Sequence, residues 1–344
     1  GLGDIMGIHH GKRSTGNSST GYTKRATEAS AGGSQLYAFT SFTFNTGGAT
    51  GATGANLATF KSNYDTTTYS WLNDTSFYNV TTLGFQQWTV PSTGSYQFVV
   101  TGAGGGTGGY YSVGNNVPSG KGAKLTFTRT LTQSDVLYIA VGHKGVSGNT
   151  GATCSGGSSG GGGGTFIYDN TNSQLIAVAG GGGGGGNDSA ASSNYQPDGR
   201  TASNDGGTAD GSSTVPGGTN GSGGTFATSG TYGCVSGGFG GGGYSGDGGG
   251  SYGGKGYNHS SDPLKGGAYA RNGGFGGGGA SNTYNGGGGG GYSGGAGGGL
   301  PTCSCSNLSG GGGGGSYYIG GLGTITTAVD SSFQQDGSVV VTKV

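Results

Sequence analysis

The sequence predicts an all-β protein: a jelly-roll-like antiparallel sandwich with a large inserted bundle of polyglycine-II helices. Three observations point there. Short segments of alternating apolar residues, bounded by turn signals, recur through residues 36–142 and return in 322–344. Glycine supplies 94 of the 344 residues, far above the roughly 7% of ordinary chains. Most of that glycine lies in 143–321, in uninterrupted runs broken by single aromatic residues.

Residues 1–35 have no apolar period and read as a flexible arm. Leu36, Phe39, Phe42 and Phe44 then alternate loosely, as in a strand with one buried face. Leu57, Phe60 and Tyr64 follow at helical spacing behind the capping residue Asn56, which predicts one short helix near 56–64. Residues 84–90, the turn signal Pro91-Ser92-Thr93-Gly94 and the alternating Tyr96, Phe98 and Val100 read as a β-hairpin. Leu125, Phe127 and Leu131 mark another strand, and the continuous apolar run 136–141 suits a strand covered on both faces. A second hairpin is expected at 165–179 around Asp169-Asn170-Thr171-Asn172, inside the glycine-rich region. The last strand is expected at 337–344.

Runs of glycine occupy 160–164, 180–186, 240–243, 276–279, 286–291 and 310–315. Glycine loses the most backbone entropy on ordering and brings no side chain to bury, so such runs make poor helices and strands. A polyproline-II-like backbone, with threefold screw symmetry and no internal hydrogen bonds, leaves its N–H and C=O groups pointing outward. Glycine lets such helices pack backbone to backbone, which predicts an ordered bundle punctuated by Phe239, Tyr244, Phe275 and Tyr292.

Composition argues against several function classes. Fourteen basic residues balance fourteen acidic ones, without the clustered positive charge that phosphate binding needs, so no nucleic-acid partner is expected. No apolar run approaches the roughly 18 residues of a membrane span, so no membrane insertion is expected. The many Gly-x-Gly-x-x-Gly matches lack a strand-turn-helix setting, and 249–256 resembles a phosphate loop but ends in glycine. Glu28 is the single glutamate, and only His143 and His259 lie outside the arm. These counts predict neither catalytic residues, nor a cofactor, nor a metal site. Cys154, Cys234, Cys303 and Cys305 are possible disulfide partners of open connectivity, with Cys303 and Cys305 too close for an easy bridge to each other.

The segment from Gly84 through Tyr96 (GFQQWTVPSTGSY), with Thr101-Gly102-Ala103-Gly104-Gly105-Gly106, resembles the glycine-rich ectodomain of anaplastic lymphoma kinase and leukocyte tyrosine kinase. The likeness extends to 135–142 and 177–183 and covers about residues 40–344. It implies a tumour-necrosis-factor-like sandwich interrupted by packed polyglycine helices. These 344 residues differ from those receptors in containing no kinase-like segment, no apolar run of membrane-spanning length and no cysteine in 40–66. Its low charge and Thr- and Asn-rich composition also resemble bacteriophage structural proteins, and its aromatic-broken glycine runs are similar to phage tail-fibre-tip adhesins.

The expected function is non-enzymatic recognition: a virion-surface or extracellular adhesin binding a bacterial surface glycan or outer-membrane protein. The alternatives are a structural fibre or capsid-decoration subunit and a ligand-binding ectodomain fragment. Residues 1–35 are expected to meet other virion or fibre subunits, and homo-oligomerisation fits the same class. Twenty tyrosines, many in Gly/Ser/Asn loops, give the chemistry of a recognition surface, because tyrosine offers amphipathic area at low entropic cost. The candidate receptor-binding residues are Tyr110, Tyr111, Tyr195, Tyr252 and Tyr257.

Overall fold

The computed structural model describes residues 34–109, 116–117, 119–149, 157–186, 196–209, 215–226, 237–299, 309–322, 326–327 and 334–344. In chain order the elements are β1 (Ser41–Phe44), α1 (Leu57–Asn63), a 3₁₀ turn (Ser70–Asn73), β2 (Tyr78–Asn79), β3 (Phe85–Thr89), β4 (Gly94–Thr101) and β5 (Gly108–Gly109). There follow β6 (Asn116–Val117), β7 (Lys124–Leu131), β8 (Val136–Ala140), β9 (Thr165–Asp169), β10 (Gln174–Ala179), β11 (Tyr317–Tyr318), β12 (Thr326–Thr327) and β13 (Ser338–Lys343). They form an all-β sandwich of two antiparallel sheets, one in the order β1-β13-β4-β7-β12 and one in the order β11-β10-β9-β8-β3-β2. A small ribbon pairs β5 with β6.

The expected helix forms behind its cap, with the Asn56 Oδ1 accepting the Thr59 N–H at 2.9 Å. It turns Phe60 and Tyr64 into the core. The expected hairpin at 84–100 does not form. β3 pairs with β2 and β8 in one sheet, whereas β4 pairs with β13 and β7 in the other. Both strands carry large inward residues, and these meet across the sandwich, Trp88 edge-on to Tyr96 at 5.9 Å. Pro91-Ser92-Thr93-Gly94 is therefore a corner between sheets. Alternation reports which face is buried but not which strand lies alongside.

The hairpin at 165–179 does form, with a bulge between Leu175 and Ala177. It belongs to the sandwich, since β9 pairs with β8 and β10 with β11. The inter-sheet core is aromatic and aliphatic, with Phe44, Trp88, Tyr96, Phe98, Val100, Leu125, Leu137, Ile139, Val339 and Val341 all buried. β8 is covered on both faces as its apolar run predicts. Leu137 and Ile139 join this core, and Ala140 joins a second one on the outer face with Phe85, Phe166, Leu175, Val178, Leu264 and Phe275.

Where side chains give out, the strands do not stop. β4 runs on into 102–109, β8 into 141–149 and β10 into 180–186, while β7, β9 and β11 are entered from 119–123, 157–164 and 309–316. These glycine-rich extensions pack against one another and against 286–291 and 293–298 through backbone hydrogen bonds, and those two runs bond in turn to 238–243. The lattice thus begins before residue 143.

The bonding partner changes at every residue and returns after three. Gly181 and Gly184 donate to Gly290 and Gly287, Gly182 and Gly185 to Ala103 and Gly106, and Gly183 to Pro197, over 2.7–3.1 Å. Gly286 and Gly289 likewise donate to Ser309 and Gly312, Gly287 and Gly290 to Ser159 and Gly162, and Gly288 and Gly291 to Phe239 and Gly242, over 2.8–3.2 Å. Neighbours run both parallel and antiparallel. A Cβ on Gly289 would overlap the carbonyl oxygen of Gly181. Each of these two runs has its backbone groups satisfied by several neighbouring segments, so the interior is held by hydrogen bonds where the sandwich is held by apolar burial.

One end of this lattice abuts the sandwich. The other end holds Gly109, Gly157, Gly185, Gly238, Gly298 and Ser309, joined by Gly109 N–H to Gly157 O, Ser159 N–H to Gly185 O, Gly238 N–H to Gly298 O and Gly286 N–H to Ser309 O. No described helix is long and apolar enough to cross a membrane.

Candidate functional site

Among the described residues, the exposed aromatic surface is concentrated on the lattice. Tyr252 and Tyr269 stack at 4.5 Å with planes 21° apart, yet are 40% and 48% exposed, so a large part of each residue stays open to solvent. Both stand edge-on against Phe239, at 5.2 and 5.8 Å. Phe239 is buried and stacks in turn on Phe226 at 5.4 Å and 3°. The four rings form a platform with an apolar base and a hydroxyl-bearing outer edge.

The backbone explains its rigidity. Phe239 belongs to a lattice run whose neighbours Gly238 and Gly240 bond to Gly298 and Gly249. Tyr252 sits in a turn closed by Gly253 N–H to Gly250 O at 3.1 Å. Gly250 has φ +85°, a left-handed conformation with no room for a side chain, because a Cβ would press into the rings of Phe239 and Phe226. The Tyr252 carbonyl accepts Ala280 N–H, and Tyr269 lies in a loop closed by Gly273 N–H to Gly267 O at 2.9 Å. The platform rings are those of two tyrosines and two phenylalanines, with no carboxylate, ammonium, guanidinium or imidazole among them.

Tyr257, expected beside Tyr252, belongs instead to the second core. It packs against Phe85, Phe166 and Tyr168 and stacks on Tyr244, which continues the ladder through Tyr292 to Tyr317. Burial pushes the Tyr257 phenol well above its ordinary value, and the neighbouring Tyr244, Tyr168 and Tyr138 phenols add to the effect. This row fixes the lattice to the outer face of the sheet. Beside it the Asp247 carboxylate accepts the Gly256 N–H at 2.9 Å and pairs with Lys255 at 3.0 Å and His259 Nε2 at 3.5 Å, which pins the 246–259 loop. His143 is buried against Phe275 with its Nδ1 at 3.1 Å from Gly51 O, and burial lowers its pKa.

Tyr110, Tyr111, Tyr195 and the four cysteines lie outside the described residues. Of the expected site, the described structure therefore gathers Tyr252 with Tyr269, Phe239 and Phe226, and places Tyr257 elsewhere. Tyr269 and Phe226 escape sequence reading because nothing in Gly-Ala-Tyr-Ala-Arg or Gly-Thr-Phe-Ala distinguishes them from other aromatics among small residues. No group of three His, Cys, Asp or Glu side chains among the described residues is placed to hold a metal ion.

No protein-family model matches the chain, and no curated protein matches it.

Proposed function

We propose that this chain is a non-enzymatic recognition protein, a virion-surface or fibre-tip adhesin of the phage type, whose platform of Tyr252, Tyr269, Phe239 and Phe226 binds a glycan on the bacterial surface. The carrying observation is that two large aromatic side chains stand 40% and 48% exposed on a rigid, uncharged base. Aromatic faces stack on the C–H faces of sugar rings, and phenol hydroxyls reach their oxygens. A lattice without side chains makes a stiff mount that leaves recognition to the aromatics and loops it carries.

On this reading the sandwich is of jelly-roll type and the glycine runs are polyglycine-II helices. The three-residue return of hydrogen-bond partners supports that assignment, since it is the period of a threefold screw.

The test is attachment to intact bacteria. The fluorescently labelled full chain is expected to bind host cells and to be displaced by polysaccharide purified from them. Tyr252→Ala with Tyr269→Ala is expected to weaken attachment by about thirtyfold, the usual effect of removing a central aromatic anchor, with an unchanged thermal midpoint. Attachment that survives in the folded double variant would overturn the assignment to this platform.

A further inference from the structure

At the junction of sandwich and lattice lies a concavity of about 600 Å³, within the size range of small-molecule sites. It is lined by Asn45, Thr46 and Thr50 of the loop after β1, Asn63 at the end of α1, Lys144 after β8, and Gln334, Gln335 and Asp336 before β13. Its floor is fixed. The Asp336 carboxylate accepts the Lys144 N–H at 2.7 Å and the Thr46 hydroxyl at 3.4 Å, Gly104 N–H donates to Gln335 O at 2.8 Å, and Gly337 N–H donates to Gly142 O at 2.8 Å.

Its walls are not used up. The Lys144 ammonium, the Asn63 and Gln335 amides and the Thr50 hydroxyl make no hydrogen bond or ion pair to any described residue. The lining therefore mixes pure donors, a carboxylate acceptor and groups that do both, and its formal charge is zero because Lys144 offsets Asp336. An anion would face Asp336 and a cation would face Lys144. Hydroxyl groups, each both donor and acceptor, match such a surface. No aromatic ring lines the cleft, so it reads hydroxyls rather than ring faces.

We propose that this cleft binds a neutral saccharide unit through its hydroxyls, with Lys144, Asp336, Asn63 and Gln335 as the reading groups. The proposal deepens the recognition reading, giving the same class of ligand a hydrogen-bonding subsite apart from the aromatic platform. The two are linked through the chain. The segment carrying Tyr269 is anchored by Gly266 N–H to Ala52 O and Phe275 N–H to Gly51 O, next to Thr50 of the cleft.

The experiment is titration of the isotopically labelled full chain with glucose, galactose, mannose and the open-chain polyol sorbitol, followed by amide shifts. At least one hexose is expected to bind saturably, with shifts centred on 45–50, 63, 144 and 334–337, and more tightly than sorbitol. Lys144→Met with Gln335→Ala is expected to weaken it by about tenfold or more, having removed two hydrogen-bonding groups. Tyr252→Ala with Tyr269→Ala is expected to leave these shifts in place. Absence of saturable hexose binding, or binding that survives Lys144→Met/Gln335→Ala, overturns the cleft, and cell attachment still tests the platform separately. Intact hexose binding with no attachment to bacteria supports the cleft and overturns the adhesin reading.

Discussion

The sandwich and the glycine lattice solve the same problem by opposite means. In the sandwich, backbone hydrogen bonds run only within each sheet, and the two sheets are held apart and together by side chains such as Phe98, Trp88 and Val341. In the lattice the side chains are gone, the backbones close up, and the hydrogen bonds themselves run between layers in three directions. One interior is a close-packed set of apolar volumes that tolerates volume-conserving exchange, while the other has no volume to exchange. The lesson is that glycine here acts as a packing element of zero radius.

The sharpest way to break that comparison is Gly289→Val. Its side chain would have to displace the Gly181 carbonyl and the backbone of the 180–186 run, so a loss of more than about 4 kcal/mol is expected, read as failure to fold or a collapsed thermal midpoint. Gly51→Ala, whose Cβ meets nothing, is the control: its φ of +76° limits the cost to about 1–2 kcal/mol. A midpoint for Gly289→Val close to that of Gly51→Ala would mean that the lattice contributes little.

The sandwich is expected to answer differently to the same kind of insult. Phe98→Ala leaves a cavity beside Phe127 and Val341 and should cost about 3–5 kcal/mol, whereas Val341→Ile should cost under about 1.5 kcal/mol, both by chemical denaturation. No lattice glycine should show such a graded series.

The seam between the two regions has its own signature in alkali. The Tyr257 phenol ionises near 10.0 in the unfolded chain and well above that in the folded one. Below pH 10 both states keep the proton and stability is flat. Above it only the unfolded state releases it, so stability falls as pH rises, by about 1.4 kcal/mol per pH unit for each such tyrosine. Tyr257→Phe should flatten that decline by one tyrosine's worth in melts taken from pH 9 to 12, and an unchanged slope would refute the burial of this phenol.

The smallest expected effect is Asn56→Ala. Losing the cap of α1 should cost about 1 kcal/mol, a few degrees of melting temperature, without touching the lattice.

What was legible in the sequence follows the same division. The cap at Asn56, the two-faced strand around Leu137–Ala140 and the hairpin at Asp169–Asn172 are local patterns, and local patterns survive into the fold. The parting of β3 from β4 was not legible, because alternation around Pro91 is the same for a hairpin and for a corner between sheets. Order in the glycine runs was foreseen from the backbone packing that only glycine permits, but not that the runs continue the strands, since no periodicity marks where a strand loses its side chains. Tyr252 could be picked out as a loop tyrosine. Its stacking partner Tyr269 could not, because the two meet only through backbone contacts between distant glycines.

That continuity has a mechanical consequence. Covalent chain crosses from sheet to lattice at β4, β7, β8, β9, β10 and β11, and the runs run alongside one another in both directions. Tension applied to the far end is carried by these threads side by side, and it loads many hydrogen bonds in shear at once rather than peeling them one after another. A lattice built this way transmits a pull to the sandwich as a cable does.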